Sequence, residues 1–175
     1  SPFEFVNSYN QSNFKQFNHF RHRTLKPIDV HGLLLALKQI YIEFDDFEAF
    51  WEMCYRTGRE QSRPFLAVFH EEFFRRSSDL AGRTVKHVSN PEKGSPCKRL
   101  YMYLRWTIRA DSDVDTGLWS FMKPSELLIP FDVHVARQAR RYGLLSRRTN
   151  DRKSVNELTQ TLAVLNPDDP ARYDY

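Results

Sequence analysis

Residues 127–148 read LLIPFDVHVARQARRYGLLSRR. The apolar run Leu127, Leu128, Ile129, Pro130 and Phe131 has the look of extended chain. A helical pattern follows and stops at Gly143. Asp132 stands at the junction, where an aspartate is a preferred cap because its carboxylate accepts hydrogen bonds from the unpaired N–H groups of the first turn. Capping alone accounts for an acid here. The neighbours add a question, because the helix carries Arg137, Arg140 and Arg141 and so puts a lone carboxylate at the mouth of a basic rod.

Working outward, helical start and stop signals recur. IDVHGLLLALKQIYIEF (28–44) has Asp29 as a candidate cap and Leu33, Leu34, Leu37, Ile40 and Tyr41 at helical spacing. DDFEAFWEMCYRTG (45–58) runs from a capping aspartate to Gly58. SRPFLAVFHEEFFRRS (62–77) repeats Phe65, Phe69 and Phe73 every four residues, a core stripe. VNELTQTLAVLN (155–166) aligns Val155, Leu158, Leu162 and Leu165, and Ser154 with Glu157 fits a capping box. NPDDPARYDY (166–175) breaks that pattern and opens a further short helix. Strand-like alternation is almost absent, so the expected fold class is all-α. The 175 residues, with 14 Phe among them, suffice for a buried core. We expect a single helical domain over 1–175, with an N-terminal half at 1–90 and a second half at 91–175.

GSPCKRLYMYLRWTIRAD (94–111) is the second informative stretch. Ser95-Pro96 is a strong helix start, serine as cap and proline at the first helical position. Lys98 then falls in the first turn, where a cation opposes the helix dipole. Leu100, Leu104 and Ile108 form an apolar ridge, and Lys98, Met102, Arg105 and Arg109 share another face.

Charge and cysteine content narrow the function. The net charge is +4. Between 95 and 153 the bases Lys98, Arg99, Arg105, Arg109, Lys123, Arg137, Arg140, Arg141, Arg147, Arg148, Arg152 and Lys153 outnumber Asp111, Asp113, Asp115, Glu126, Asp132 and Asp151. Such a surplus suits a phosphate-binding surface, and equally a solvated face. Cys54 and Cys97 are too few for a four-thiolate cluster, so no metal or other cofactor is expected. A reduced, cytoplasmic protein follows as the default. No apolar stretch approaches the roughly 20 residues of a membrane span. DSDVDTG (111–117) mimics a calcium loop, but its glycine is one position late and the bidentate glutamate position holds Met122, leaving an acidic surface loop. HEEFF (70–74) lacks the second histidine of a zinc-hydrolase helix, and His19 with His22 has no spaced partner. Phosphate-cradling glycine loops and a serine-hydrolase elbow are missing too.

FDVHVARQARRYGL (131–144) resembles the V-D-T-H-V-x-R segment of helix-hairpin-helix DNA glycosylases, the endonuclease III superfamily. GSPCKRLYMYLRW (94–106) resembles the start of the second hairpin helix in that superfamily. Taken whole, HRT (22–24), KHVS (86–89), CKRLYMYLRW (97–106), GLW (117–119), PSELLIPFDVHVAR (124–137) and NPDDPARYDY (166–175) are similar to a bacterial family of unknown function related to those enzymes. The family pattern implies flanking helices beyond both ends.

The resemblance implies an all-helical glycosylase fold and a DNA glycosylase of base-excision repair, with abasic-site lyase activity where a lysine forms a Schiff base. It assigns the nucleophile to Lys98 and the catalytic carboxylate to Asp132. A fixed carboxylate stabilises the positive charge that develops on the sugar as an N-glycosidic bond breaks. Trp106, Trp119 and Tyr101 are candidate walls for an extruded base. Gly94, Ser95, Arg99, Arg105, Arg137 and Arg141 are the candidate nucleic-acid contacts, with DNA the expected partner and RNA left open. Two departures stand out. Pro96 occupies the place of a hairpin glycine and has no N–H to give a phosphate. A longer insert, residues 107–128, separates Lys98 from Asp132 and has the length to move them apart. The alternative is a non-catalytic nucleic-acid-binding protein on the same scaffold.

Overall fold

In a computed structural model of the chain, residues 1–77, 82–110 and 112–174 are described. Asp111 and Tyr175, named above, lie outside them. Among the described residues the regular structure is helical, apart from one isolated bridge between His22 and Leu25. They form two compact units, Ser1–Val88 and Ser89–Tyr175. None of the helices is long and apolar enough to cross a membrane.

The first unit contains α1 (Pro2–Ser8), a 3₁₀ segment Gln11–Phe17, α2 (Pro27–Glu43), α3 (Phe47–Glu60), α4 (Phe65–Arg75) and a 3₁₀ turn Thr84–His87. Asp46 caps α3, its carboxylate accepting from the Ala49 N–H at 2.8 Å. The helix runs past Gly58 to Glu60, and Gly58 instead provides a close approach: a Cβ there would stand 2.7 Å from Phe65 Cα. α3 packs on α4 through aromatic rings, with Trp51 stacked on Phe69 at 4.0 Å between centroids. Phe69 and Phe73 are buried as their spacing implies, and Phe65 is half-buried beside Trp51.

α2 departs from its expected stripe. Its buried residues are Asp29, Gly32, Ala36 and Ile40, whereas Leu33, Leu34 and Leu37 are only half-buried. Small residues every four positions let a neighbour approach closely, so here small size decides the buried seam. Asp29 is not the cap either. It lies at the third helical position after Pro27, and its carboxylate accepts from the Lys26 N–H at 2.8 Å. It also accepts from the Thr84 hydroxyl at 2.7 Å and pairs with Arg83 at 3.0 Å. Burial alone would raise its pKa, but these partners, with His87, hold it below the usual carboxylate value.

The second unit contains a 3₁₀ turn Pro91–Lys93, α5 (Lys98–Ile108), a 3₁₀ turn Pro124–Glu126, α6 (Val133–Arg141), α7 (Arg152–Leu165) and a 3₁₀ turn Pro170–Tyr173. Its core joins Ile129, Phe131, Ala136, Ala139, Leu145, Val155, Leu158 and Leu162. α7 is capped by Asp151, which accepts from the Ser154 N–H at 2.9 Å. The expected Ser154–Glu157 capping box is therefore absent: Ser154 is already inside the helix, and Glu157 accepts from the Ser146 N–H at 2.6 Å and hydroxyl at 2.7 Å.

The 107–128 insert folds back on α5. Thr116 N–H donates to Trp106 O at 2.7 Å, and Trp119 N–H to Thr107 O at 2.8 Å. Gly117 makes this closure possible. Its φ is +56°, and a Cβ would fall 2.3 Å from Ala110 Cα. Among the described residues of 111–117, Asp113, Val114 and Thr116 are exposed as a surface loop requires, but the insert carries Asp115 inward to Arg105 and Arg109 as a buried counter-ion.

Candidate active site

Two helix starts build the site. At the first, Gly94 takes φ +79° and Cys97 φ +50°, and the Cys97 N–H is turned back onto the Ser95 hydroxyl at 3.2 Å. These two left-handed residues delay α5, which begins at Lys98, two residues beyond the start that Ser95-Pro96 suggests. Lys98 still lies in the first turn. Gly94 O accepts the Arg152 N–H at 3.0 Å, which ties the start of α7 to that of α5. The Arg152 guanidinium hydrogen-bonds the Tyr101 hydroxyl and lies 5.4 Å over the centre of its ring. Tyr101 is thus a core residue, and burial pushes its hydroxyl up to about 12 against the pull of Arg152.

At the second start, Asp132 caps α6. One carboxylate oxygen, Oδ1, accepts the N–H groups of His134 at 2.8 Å and Val135 at 3.0 Å. The other, Oδ2, receives the Lys98 ammonium at 2.6 Å. The insert therefore does not separate the two residues. Lys98 is 39% exposed and Asp132 26%, so both reach solvent. Partial burial would raise the Asp132 pKa, but Lys98 and the two amides outweigh it and hold the carboxylate below its ordinary value.

Beside this pair a cavity of about 380 Å³ opens between α6, α7 and the 3₁₀ turn at Pro170–Tyr173. Its walls include Ile129, Ala139, Leu158 and Leu162, with His134 and Asp174 among the few polar groups. Behind Asp174 runs an ion-pair cluster. Arg105 donates to Asp174 Oδ2 at 2.7 Å and to Asp115 Oδ1 at 3.3 Å. Arg109 binds Asp115 and reaches Asp169 Oδ2 at 2.9 Å. Two guanidiniums thus meet three carboxyls. Burial pushes Asp174 up to about 6, with Asp132 adding to the rise while Arg105 and Lys98 pull the other way.

The remaining expected contacts divide. Arg99, Arg137 and Arg141 are exposed, the last two on one face of α6. Arg105 is buried among carboxylates, and that correction removes it from any phosphate-facing surface. Gly94 is exposed, but its N–H already donates to Pro91 O at 3.0 Å, so the turn does not present it to a phosphate. Ser95 spends its hydroxyl on Cys97. Trp106 is exposed and Trp119 packs edge-on against Tyr103, and neither lines the cavity. Neither Asp115, within DSDVDTG, nor Asp174, within NPDDPARYDY, was expected at the site, since only their tertiary contacts mark them.

These features define an all-helical chain with a carboxylate-capped helix, a paired lysine and an adjoining apolar cavity. The chain belongs to the family described as "Protein of unknown function (DUF2400)", whose model matches residues 1–175. No curated protein and no solved structure matches it.

Proposed function

We propose that the chain is a DNA glycosylase with abasic-site lyase activity, in which Lys98 is the nucleophile and Asp132 the carboxylate that serves it. The contact of 2.6 Å between the Lys98 amine and Asp132, at the edge of a cavity in the size range of small-ligand sites, carries the reading. An amine attacks only through a free lone pair, so Lys98 must first give up its proton, and Asp132 is the carboxylate in contact with it. Where the sugar loses its base first, the same carboxylate faces the positive charge on the ring. Its helix amides keep it ionised. Attack at C1′ gives a Schiff base, from which strand cleavage by elimination follows. Arg99, Arg137 and Arg141 are available to phosphates.

A second reading, non-catalytic nucleic-acid binding on the same scaffold, draws on one observation. Gly94 N–H is satisfied within the chain and Pro96 has none, so the segment before Lys98 lacks the amide grip of a repair hairpin. Borohydride reduction in the presence of an abasic oligonucleotide separates the two. A covalent adduct is expected with the native chain, lost in Lys98→Gln and reduced on the order of 10²-fold in Asp132→Asn. Salt-sensitive binding without any adduct would favour the scaffold reading.

A further inference from the structure

The cavity beside Lys98 and Asp132 has apolar walls and a single lining carboxyl, that of Asp174. Arg105 holds the residue in place, donating to its backbone oxygen at 3.2 Å and to Oδ2 at 2.7 Å. Oδ1 has no hydrogen-bond partner among the described residues. The charged and titratable groups around Asp174 are Arg105 and Lys98 of α5, Asp132 at the cap of α6, His134 of α6, Asp115 across Arg105, and neighbouring Tyr173. Two carboxyls therefore lie near each other in opposed environments: Asp132, outside the cavity lining, is bound by an ammonium and two amides, whereas Asp174 lines the apolar cavity and is held by Arg105, which Asp115 shares. A pair so divided assigns one group to stay ionised and the other to carry a proton.

We propose that Asp174 is the proton donor to the departing base, so that the cavity takes a neutral, flat heterocycle whose release needs protonation. This rests on the glycosylase reading. As the C1′–N bond breaks, its electron pair passes to the base nitrogen, the Asp174 proton passes to the base, and Asp174 remains as a carboxylate against Arg105 until water reprotonates it. The apolar walls favour an uncharged ring, and among the described residues no lysine or arginine lines the cavity to welcome an anionic one. Residual acidity also fits: Asp174 is raised to about 6, which leaves a protonated fraction near neutral pH.

The test uses oligonucleotides carrying hypoxanthine (neutral), 7-methylguanine (already cationic, a good leaving group) or a preformed abasic site. Asp174→Asn is expected to slow hypoxanthine release by about 100-fold while 7-methylguanine release and borohydride trapping at the abasic site stay within about twofold. Asp174→Glu, which keeps a carboxyl, should recover part of the loss. An equal loss on all three substrates, or no loss on hypoxanthine, overturns the assignment and leaves the glycosylase reading standing. Trapping at the abasic site without release of either base by the native chain also overturns it. A native chain that traps nothing overturns both. Carboxyl ¹³C NMR gives a reading free of activity: Asp174 should titrate near 6, and titration at about 4 would remove it as a donor.

Discussion

Asp132 fills two roles with two oxygens, and the division sets what its loss should do. Oδ1 satisfies two N–H groups of α6 and Oδ2 holds Lys98. Because its folded pKa is depressed, its contribution is fully present above the unfolded value of about 3.9 and fades as pH falls through the folded one. Asp132→Ala should therefore cost about 1–2 kcal/mol at pH 7. Urea unfolding should show the gap to the native chain narrowing toward pH 3, and a gap constant with pH would detach the cap from its ionisation. Gly117 makes a sharper claim. With φ +56° and the Ala110 backbone 2.3 Å from where a Cβ would be, no side-chain rotation relieves the clash. Gly117→Ala should destabilise by about 2–4 kcal/mol, read by the same urea midpoint. An unchanged midpoint would mean that the insert does not need its closure on α5.

At the scale of elements, a small-residue seam governs α2. Ala36 is fully buried between Gly32 and Ile40. Ala36→Leu should overpack the seam and cost about 1–3 kcal/mol in thermal or urea unfolding, more than a Leu on the half-buried face. That seam also shows what the sequence could and could not tell. Apolar periodicity and caps located α2 to α7, because burial of a stripe is a local pattern, but α1 at Pro2–Ser8 was not expected. In α2 the periodicity was right for Ile40 but misplaced Leu33, Leu34 and Leu37, because leucines score as core while glycine and alanine, which fit where helices nearly touch, score as nothing. Caps divide in the same way. Asp46 and Asp132 were legible, being acids directly before helical runs. Asp29 and Ser154 were displaced because Pro27 and Asp151 begin their helices earlier, and α5 starts late because Gly94 and Cys97 take positive φ. Of the site, Lys98 and Asp132 were found through resemblance to a family, and no spacing rule would have joined residues so far apart. Asp115 and Asp174 were illegible: each is one acid in a polar stretch until folding sets it against Arg105.

Across the whole chain, formal charge overstates what a nucleic acid would meet. Of the basic residues between 95 and 153, Arg105 and Arg109 are locked among aspartates, Arg140 donates to the oxygens of Arg147, Thr149 and Asn150, and Arg152 is committed to Tyr101. Arg99, Lys123, Arg137, Arg141, Arg148 and Lys153 remain exposed. Neutralising some six phosphates would give a slope of log K on log salt near −5, and a slope near −9 would show that the buried arginines are released on binding. The cluster that removes those arginines has its own pH signature. Because burial, with Asp132 adding to it, raises the Asp174 pKa, the folded state keeps that proton up to about 6, whereas the unfolded chain releases it near 3.8. Between those values the folded state binds more protons, so stability from this group falls as pH rises, by up to about 3 kcal/mol in all. Asp132 works in the opposite sense at lower pH, which places the two effects in different windows. Asp174→Asn keeps an acceptor for Arg105 while removing the surplus charge. It should flatten the stability curve between pH 4 and 6 and leave the chain at least as stable as the native one at pH 7.5. A variant clearly less stable at pH 7.5 would mean that the third carboxylate is needed by the arginines, and that Asp174 stands ionised with no proton to give.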